Sequence, residues 1–130
     1  MFTLDQIKDT HAKVKSGADF PRYVQDLIKL GVTGYEMFVA DNHAVYFGAN
    51  GFKIASAPKY NTLIISDVVN KDAFAERLKA HQHGETDYLT FCRDCASNGI
   101  EKWTLDLHAM TCTYFDKQGN NILEEVIPAL

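Results

Sequence analysis

An α+β fold is what the sequence predicts: ααβββ written twice, with antiparallel strands and the helices packed on one face. Three observations predict it. First, the chain matches itself at an offset of 68, which lays Gly31 on Gly99, Val32 on Ile100, Tyr35 on Trp103, Met37 on Leu105, Val39 on Leu107, Tyr46-Phe47 on Tyr114-Phe115 and Gly51 on Gly119. Second, apolar residues recur at helical spacing before Gly31 and Gly99 and alternate after them. Third, turn residues punctuate the strands at short intervals, Asn50-Gly51 most strongly, because both central positions of such a turn need positive φ. Residues 3–58 and 70–128 are therefore expected to form two like units within one domain spanning residues 1–130. Their meanders either join into one antiparallel sheet or pack about a pseudo-twofold axis.

Each element follows from local chemistry. Thr3-Leu4-Asp5-Gln6 has capping-box spacing, so a helix starts there, with a stripe of Leu4, Ile7, His11 and Val14 and a left-handed stop at Gly17. Asp19 is placed to cap a second helix whose Phe20, Tyr23, Val24, Leu27 and Ile28 share one face, with Gly31 ending it. Tyr35 to Val39 alternates as a strand, Asp41-Asn42-His43 supplies a turn, Val45-Tyr46-Phe47 a second strand, and Phe52 to Ser56 a third that Pro58 stops. Tyr60 to Ser66 fits either an extra strand or a buried connector. In the second unit Asn70 caps a helix carrying Phe74 and Leu78, Gly84 breaks it, and Thr86 caps the next. Strands are expected over Lys102 to Leu107, Thr111 to Phe115 and Asn121 to Ile127. An offset of 67 aligns the first helices, with Ile7 on Phe74, Val14 on His81 and Gly17 on Gly84, so that Glu85 reads as one inserted residue.

Composition narrows the function. With 46% hydrophobic residues, 130 positions are enough to bury a core without a disulfide or a metal. The net charge of −4 provides no broad cationic field, which argues against nucleic acid as a partner. The charge is uneven: residues 1–66 carry seven basic and six acidic side chains, residues 67–130 six and eleven. No export signal and no long apolar run is visible, so a soluble protein without a membrane partner is expected. Three cysteines, Cys92, Cys95 and Cys112, are too few and odd in number for a disulfide framework, which makes a cytoplasmic setting the expectation.

No catalytic constellation is recognisable. Cys92-Arg93-Asp94-Cys95 has C-x-x-C spacing, but Cys92 lies well inside its helix and aligns with Val24, so both thiols are expected in the core, without metal or cofactor. His81 and His83 stand two apart on a helix and cannot chelate together. His11 interrupts an apolar stripe, and with His81, Tyr35 and Trp103 it could line a ligand pocket between the units. Glu124 and Glu125 adjoin in a strand and project to opposite faces, so they form no acid/base pair. His108-Ala109-Met110 makes an unusually apolar hairpin tip, to be packed within its own chain or against a partner.

The sequence also carries a resemblance. Ser16-Gly17, Phe20-Pro21, Val24, Leu27, Gly31-Val32, Tyr35 and Val45-Tyr46-Phe47-Gly48 resemble the small bacterial YbcV-like family, domain of unknown function 1398, often labelled phage envelope protein. Gly99-Ile100, Trp103, Cys112, Tyr114-Phe115-Asp116 and Gly119 look like that family's carboxy-terminal portion. The resemblance implies a prophage association and brings no catalytic or binding residues. The expected function is a non-catalytic accessory or protein-interaction module, either a homodimer or bound to another protein. The alternative is a small-molecule binder or enzyme with its pocket between the two units.

Overall fold

The structure is a computed structural model and describes residues 2–15 and 19–128. The fold class is α+β. Helix α1 (Leu4–His11) opens with the expected capping box: Thr3 Oγ1 accepts from Gln6 N–H at 3.2 Å, and Gln6 Oε1 accepts from Thr3 N–H at 2.8 Å. It ends at His11, and Gly17, its expected stop, lies outside the described residues. The buried face of α1 is Ile7 and Thr10, while Leu4 and His11 are exposed, which shifts the expected stripe by one position. Helix α2 (Phe20–Leu30) buries Tyr23, Val24 and Leu27, and Gly31 ends it at φ 98°. Asp19 stands at its N-cap position, and the Asp19 carboxylate accepts from Lys15 N–H at 2.8 Å.

Strands β1 (Val32–Phe38), β2 (Ala44–Gly48) and β3 (Lys53–Ala55) form the first meander. Asn50 (φ 59°) and Gly51 (φ 77°) take the positive φ values their turn requires, and Phe52 N–H closes it on Ala49 O at 3.2 Å. Residues 60–66 are a connector and not a strand. Tyr60 and Leu63 are half-buried and Ile65 is buried, while Ile64 is 90% exposed. The connector crosses Gly99, whose missing Cβ leaves room for Val68 O.

Helix α3 (Lys71–Gln82) is capped as expected, Asn70 Oδ1 accepting from Ala73 N–H at 3.0 Å. Helix α4 (Tyr88–Ser97) is capped by Asp87 and not by Thr86, Asp87 Oδ1 accepting from Thr90 N–H at 2.8 Å. A carboxylate one residue later competes better for these amides, because it brings a full charge to the helix amino terminus. Strands β4 (Lys102–Asp106), β5 (Thr111–Phe115) and β6 (Asn121–Val126) follow.

The meanders join into one antiparallel sheet of order β3-β2-β1-β4-β5-β6. Its central seam pairs Tyr35 with Leu105, Glu36 with Thr104 and Met37 with Trp103. The strand side chains that face the helices, among them Tyr35, Met37, Tyr46, Trp103, Leu105, Cys112 and Tyr114, share one buried cluster with Val24, Leu27, Phe74, Phe91, Cys92 and Cys95. Among the described residues no helix lies on the opposite face.

Carboxylates organise the turns of the second meander. Asp106 Oδ1 accepts from His108 and Ala109 N–H, and Asp116 accepts from the Asn120 side chain and from Asn120 and Gln118 N–H. These bonds favour the charged form: the amides of Ala109 and His108 hold Asp106 below its usual value, and the Asn120 side chain, then its amide, does so for Asp116. A carboxyl whose folded pKa is depressed stabilises fully above its unfolded value and loses that contribution as pH falls through the folded one. Stability is therefore expected to decline as pH drops below about 4. In Asp116→Asn, urea midpoints measured from pH 7 to pH 2 should fall less steeply than in the wild type.

Candidate functional site

Two aromatic ladders run from helix to sheet. In the first unit the His11 ring stands edge-on to Tyr23 at 5.3 Å, and Tyr46 meets Tyr35 at 5.3 Å. Burial, and then the neighbouring Tyr46 hydroxyl, raises the Tyr23 pKa, so Tyr23 acts as a neutral phenol. In the second unit His81 stacks on Phe91 at 4.5 Å, Phe91 meets Trp103 at 5.6 Å, and Trp103 meets Tyr114 at 6.0 Å. His81 Nδ1 lies 3.1 Å from both the carbonyl and the hydroxyl of Thr86. A carbonyl only accepts, so the tautomer carrying Nδ1–H fits. His11 thus belongs with Tyr23, and His81 with Phe91; the structure does not bring the two histidines, Tyr35 and Trp103 together around one pocket. Partial burial, then the charge of Lys59, lowers the His11 pKa.

A polar knot lies where the units meet, and the sequence reading missed it. Tyr88 on α4 donates to Asn42 Oδ1 at 2.6 Å, Tyr60 on the connector donates to Val39 O, and Lys59 Nζ donates to Asn42 O at 3.3 Å. Beneath them lies the Cys92 thiol. Burial pushes its pKa up, while the Tyr60 and Tyr88 hydroxyls pull the other way. Asn42 and Tyr60 carry no periodic signal, and Tyr88 reads from its spacing only as an apolar match for Phe20.

The three cysteines are free and buried, with Cys92 and Cys95 at 0% exposure. Burial also pushes the Cys112 thiol up to about 12, so little thiolate exists at neutral pH. Maleimide is expected to leave the native protein unlabelled over an hour at pH 7.5 and to label all three thiols in urea, read by intact mass. Rapid native labelling of Cys92 would contradict the sealed core. Among the described residues no three His, Cys, Asp or Glu side chains gather as a metal-ion cluster. No helix among them is long and apolar enough to cross a membrane.

At the tip, His108 and Ala109 are exposed, whereas Met110 is half-buried at φ 59° and packs on the core of its own chain. Asp106 supplies the turn chemistry that the residues His108 to Met110 lack. Two surface clefts stand out: one of about 140 Å³ between α1 and α2, including Thr10, Arg22 and Tyr23, and a shallower one of about 510 Å³ beside β3, including Phe2, Leu4 and Ile54. Neither is lined by His11, His81, Tyr35 or Trp103.

The helix-free face is laid out by strand register. One row runs Ala55, Val45, Glu36, Thr104, Thr113 and Glu124, and a second carries Lys53, Phe47, Gly34, Asp106, Thr111 and Val126. Beside them Lys102 Nζ sits 5.6 Å from the ring centres of both Phe38 and Phe115 and 2.6 Å from Glu36 Oε2. His43 stacks on Phe38 at 4.4 Å. Alternation along each strand could have revealed this face, once the register was known.

One helical layer over one face of a continuous antiparallel sheet defines a small two-layer α+β domain. The chain belongs to the family described as protein of unknown function (DUF1398), whose model matches residues 8–126. No curated protein matches the chain.

Proposed function

We propose that this chain is an accessory or protein-interaction module without catalytic activity, of the YbcV-like kind labelled phage envelope protein, and that it works in the cytoplasm as a homodimer. It arose by duplication of an ααβββ unit; the seam of β1 and β4 supports this, because Glu36 pairs with Thr104, its own counterpart at an offset of 68. The observation that carries the interaction reading is the helix-free face, where Val45, Phe47, Phe38 and Phe115 stand half-buried with no second layer over them among the described residues. Sheets pack face to face with their strands nearly aligned. A twofold axis running along the strands lays β3 of one copy over β6 of the other, which sets Ala55 over Glu124 and Lys53 over Val126, two residues along the strand from Glu124 on the same face. Opposite charges at the rim, the neutralised Lys102–Glu36 pair and apolar side chains between them make this face self-complementary.

Light scattering tests it. The wild type is expected at twice the 14.6 kDa chain mass. Val45→Asp, which buries a carboxylate in the contact, is expected at the monomer mass with its circular dichroism unchanged. A wild-type monomer across micromolar concentrations would end the dimer reading.

A further inference from the structure

We infer that strand β6 is a docking edge for an extended, basic segment of a partner protein, which adds to the sheet as a seventh strand. The two margins of the sheet differ. Strand β3 is three residues long, carries Lys53 and is followed by Pro58, all features that discourage pairing. Strand β6 spans six residues, Asn121 to Val126, ends the sheet, and has neither proline nor lysine within it. Its outer backbone N–H and C=O groups have no strand beside them among the described residues. Val126 on this strand is 77% exposed.

The charge of the edge selects the occupant. Glu124 accepts from Thr113 Oγ1 at 2.9 Å on the helix-free face, and Glu125 accepts from Gln82 Nε2 at 2.9 Å on the helix face. Both side chains are thus drawn back onto the chain itself, leaving the backbone edge open to approach. Among the described residues neither carboxylate has a cation within ion-pair distance. An incoming strand with two successive basic residues places one on each face, opposite these carboxylates, and its backbone completes the ladder. A second copy of β6 would instead bring four carboxylates to one seam, which disfavours self-pairing here. The dimer reading uses the face of the sheet and this inference its edge; the two share Glu124, whereas Glu125 on the helix face belongs to the edge alone.

The probe is a fluorescent, end-blocked eight-residue peptide with two tandem lysines flanked by valines, compared with the same peptide carrying glutamates in their place. Anisotropy is expected to show saturable binding of the lysine peptide that weakens with salt, and binding of the glutamate peptide at least about tenfold weaker. Glu124→Gln combined with Glu125→Gln keeps an accepting oxygen for Thr113 and Gln82 but removes both charges, and is expected to weaken the lysine peptide about tenfold. Amide exchange should slow within residues 121–126 when the peptide binds. Light scattering on the same samples and on Glu125→Gln alone, which lies outside the dimer contact, separates the readings: weakened peptide binding at unchanged mass isolates the edge. Equal binding of both peptides, an unaffected double variant, no binding at all, or protection confined to other strands would each overturn the inference.

Discussion

Gly34→Ala is expected to cost roughly 3 kcal/mol or more of folding stability, an unusually large effect for one added methyl group. Gly34 lies in β1 at the central seam, opposite Phe47 on one side and Asp106 on the other. A Cβ built on it would fall 2.6 Å from the Leu105 carbonyl oxygen, inside any tolerable contact. The obstacle is backbone in the neighbouring central strand, not the flexible end of a side chain. Relief would require β1 and β4 to separate, and theirs is the strand pairing that joins the two meanders. Gly51→Ala is the useful contrast: nothing lies within 4 Å of its Cβ, but φ is 77°, so only the left-handed penalty of about 1–2 kcal/mol applies. Urea denaturation followed by Trp103 fluorescence ranks the two. A Gly34→Ala midpoint at or above that of Gly51→Ala would contradict the close approach at the seam.

What the sequence could reveal depended on the range of the interaction that decided each feature. Thr3 with Gln6, Asn70 with Ala73, and Asn50-Gly51 are settled within three or four residues, and the structure has them as the spacing predicts. The Asp87 cap was missed because Thr86 and Asp87 are adjacent candidates; the Asp87 carboxylate takes the Thr90 amide, while the Thr86 hydroxyl lies 3.1 Å from His81 Nδ1. Side-chain alternation gave the buried face of each strand, but not the order of the strands, since the β1–β4 pairing joins residues about seventy positions apart. The polar knot is more distant still from any local signal. Asn42, Lys59, Tyr60 and Tyr88 come from a turn, a connector and a helix, and only the closed sheet sets them side by side. Met110 needed the structure for a different reason: an apolar tip can pack within its own chain or against a partner, and here the residue, at positive φ, lies on its own core.

Phe74→Ala and Ile7→Ala are expected to lower one and the same cooperative transition, and that outcome decides whether the two units are one domain. Phe74 is 0% exposed and packs against Tyr114 at 5.0 Å and Phe91 at 6.3 Å, which ties α3 to the sheet and to α4. Truncating a buried phenylalanine costs about 3–5 kcal/mol, against about 5–15 kcal/mol for a whole domain. Ile7 in α1, at 3% exposure, should cost about 2–5 kcal/mol on the same grounds. The single tryptophan, Trp103, lies in the second unit among Tyr88, Phe91 and Tyr114, so its fluorescence reports that unit directly. Independent units would leave the Trp103 transition untouched in Ile7→Ala. A shared core and a continuous sheet demand the reverse, because Ile7 and Trp103 belong to one buried cluster and Met37 pairs with Trp103 across the seam. Fluorescence and far-ultraviolet circular dichroism should therefore shift together in both variants, and by more in Phe74→Ala. A Trp103 midpoint in Ile7→Ala equal to that of the wild type would show the units unfolding separately.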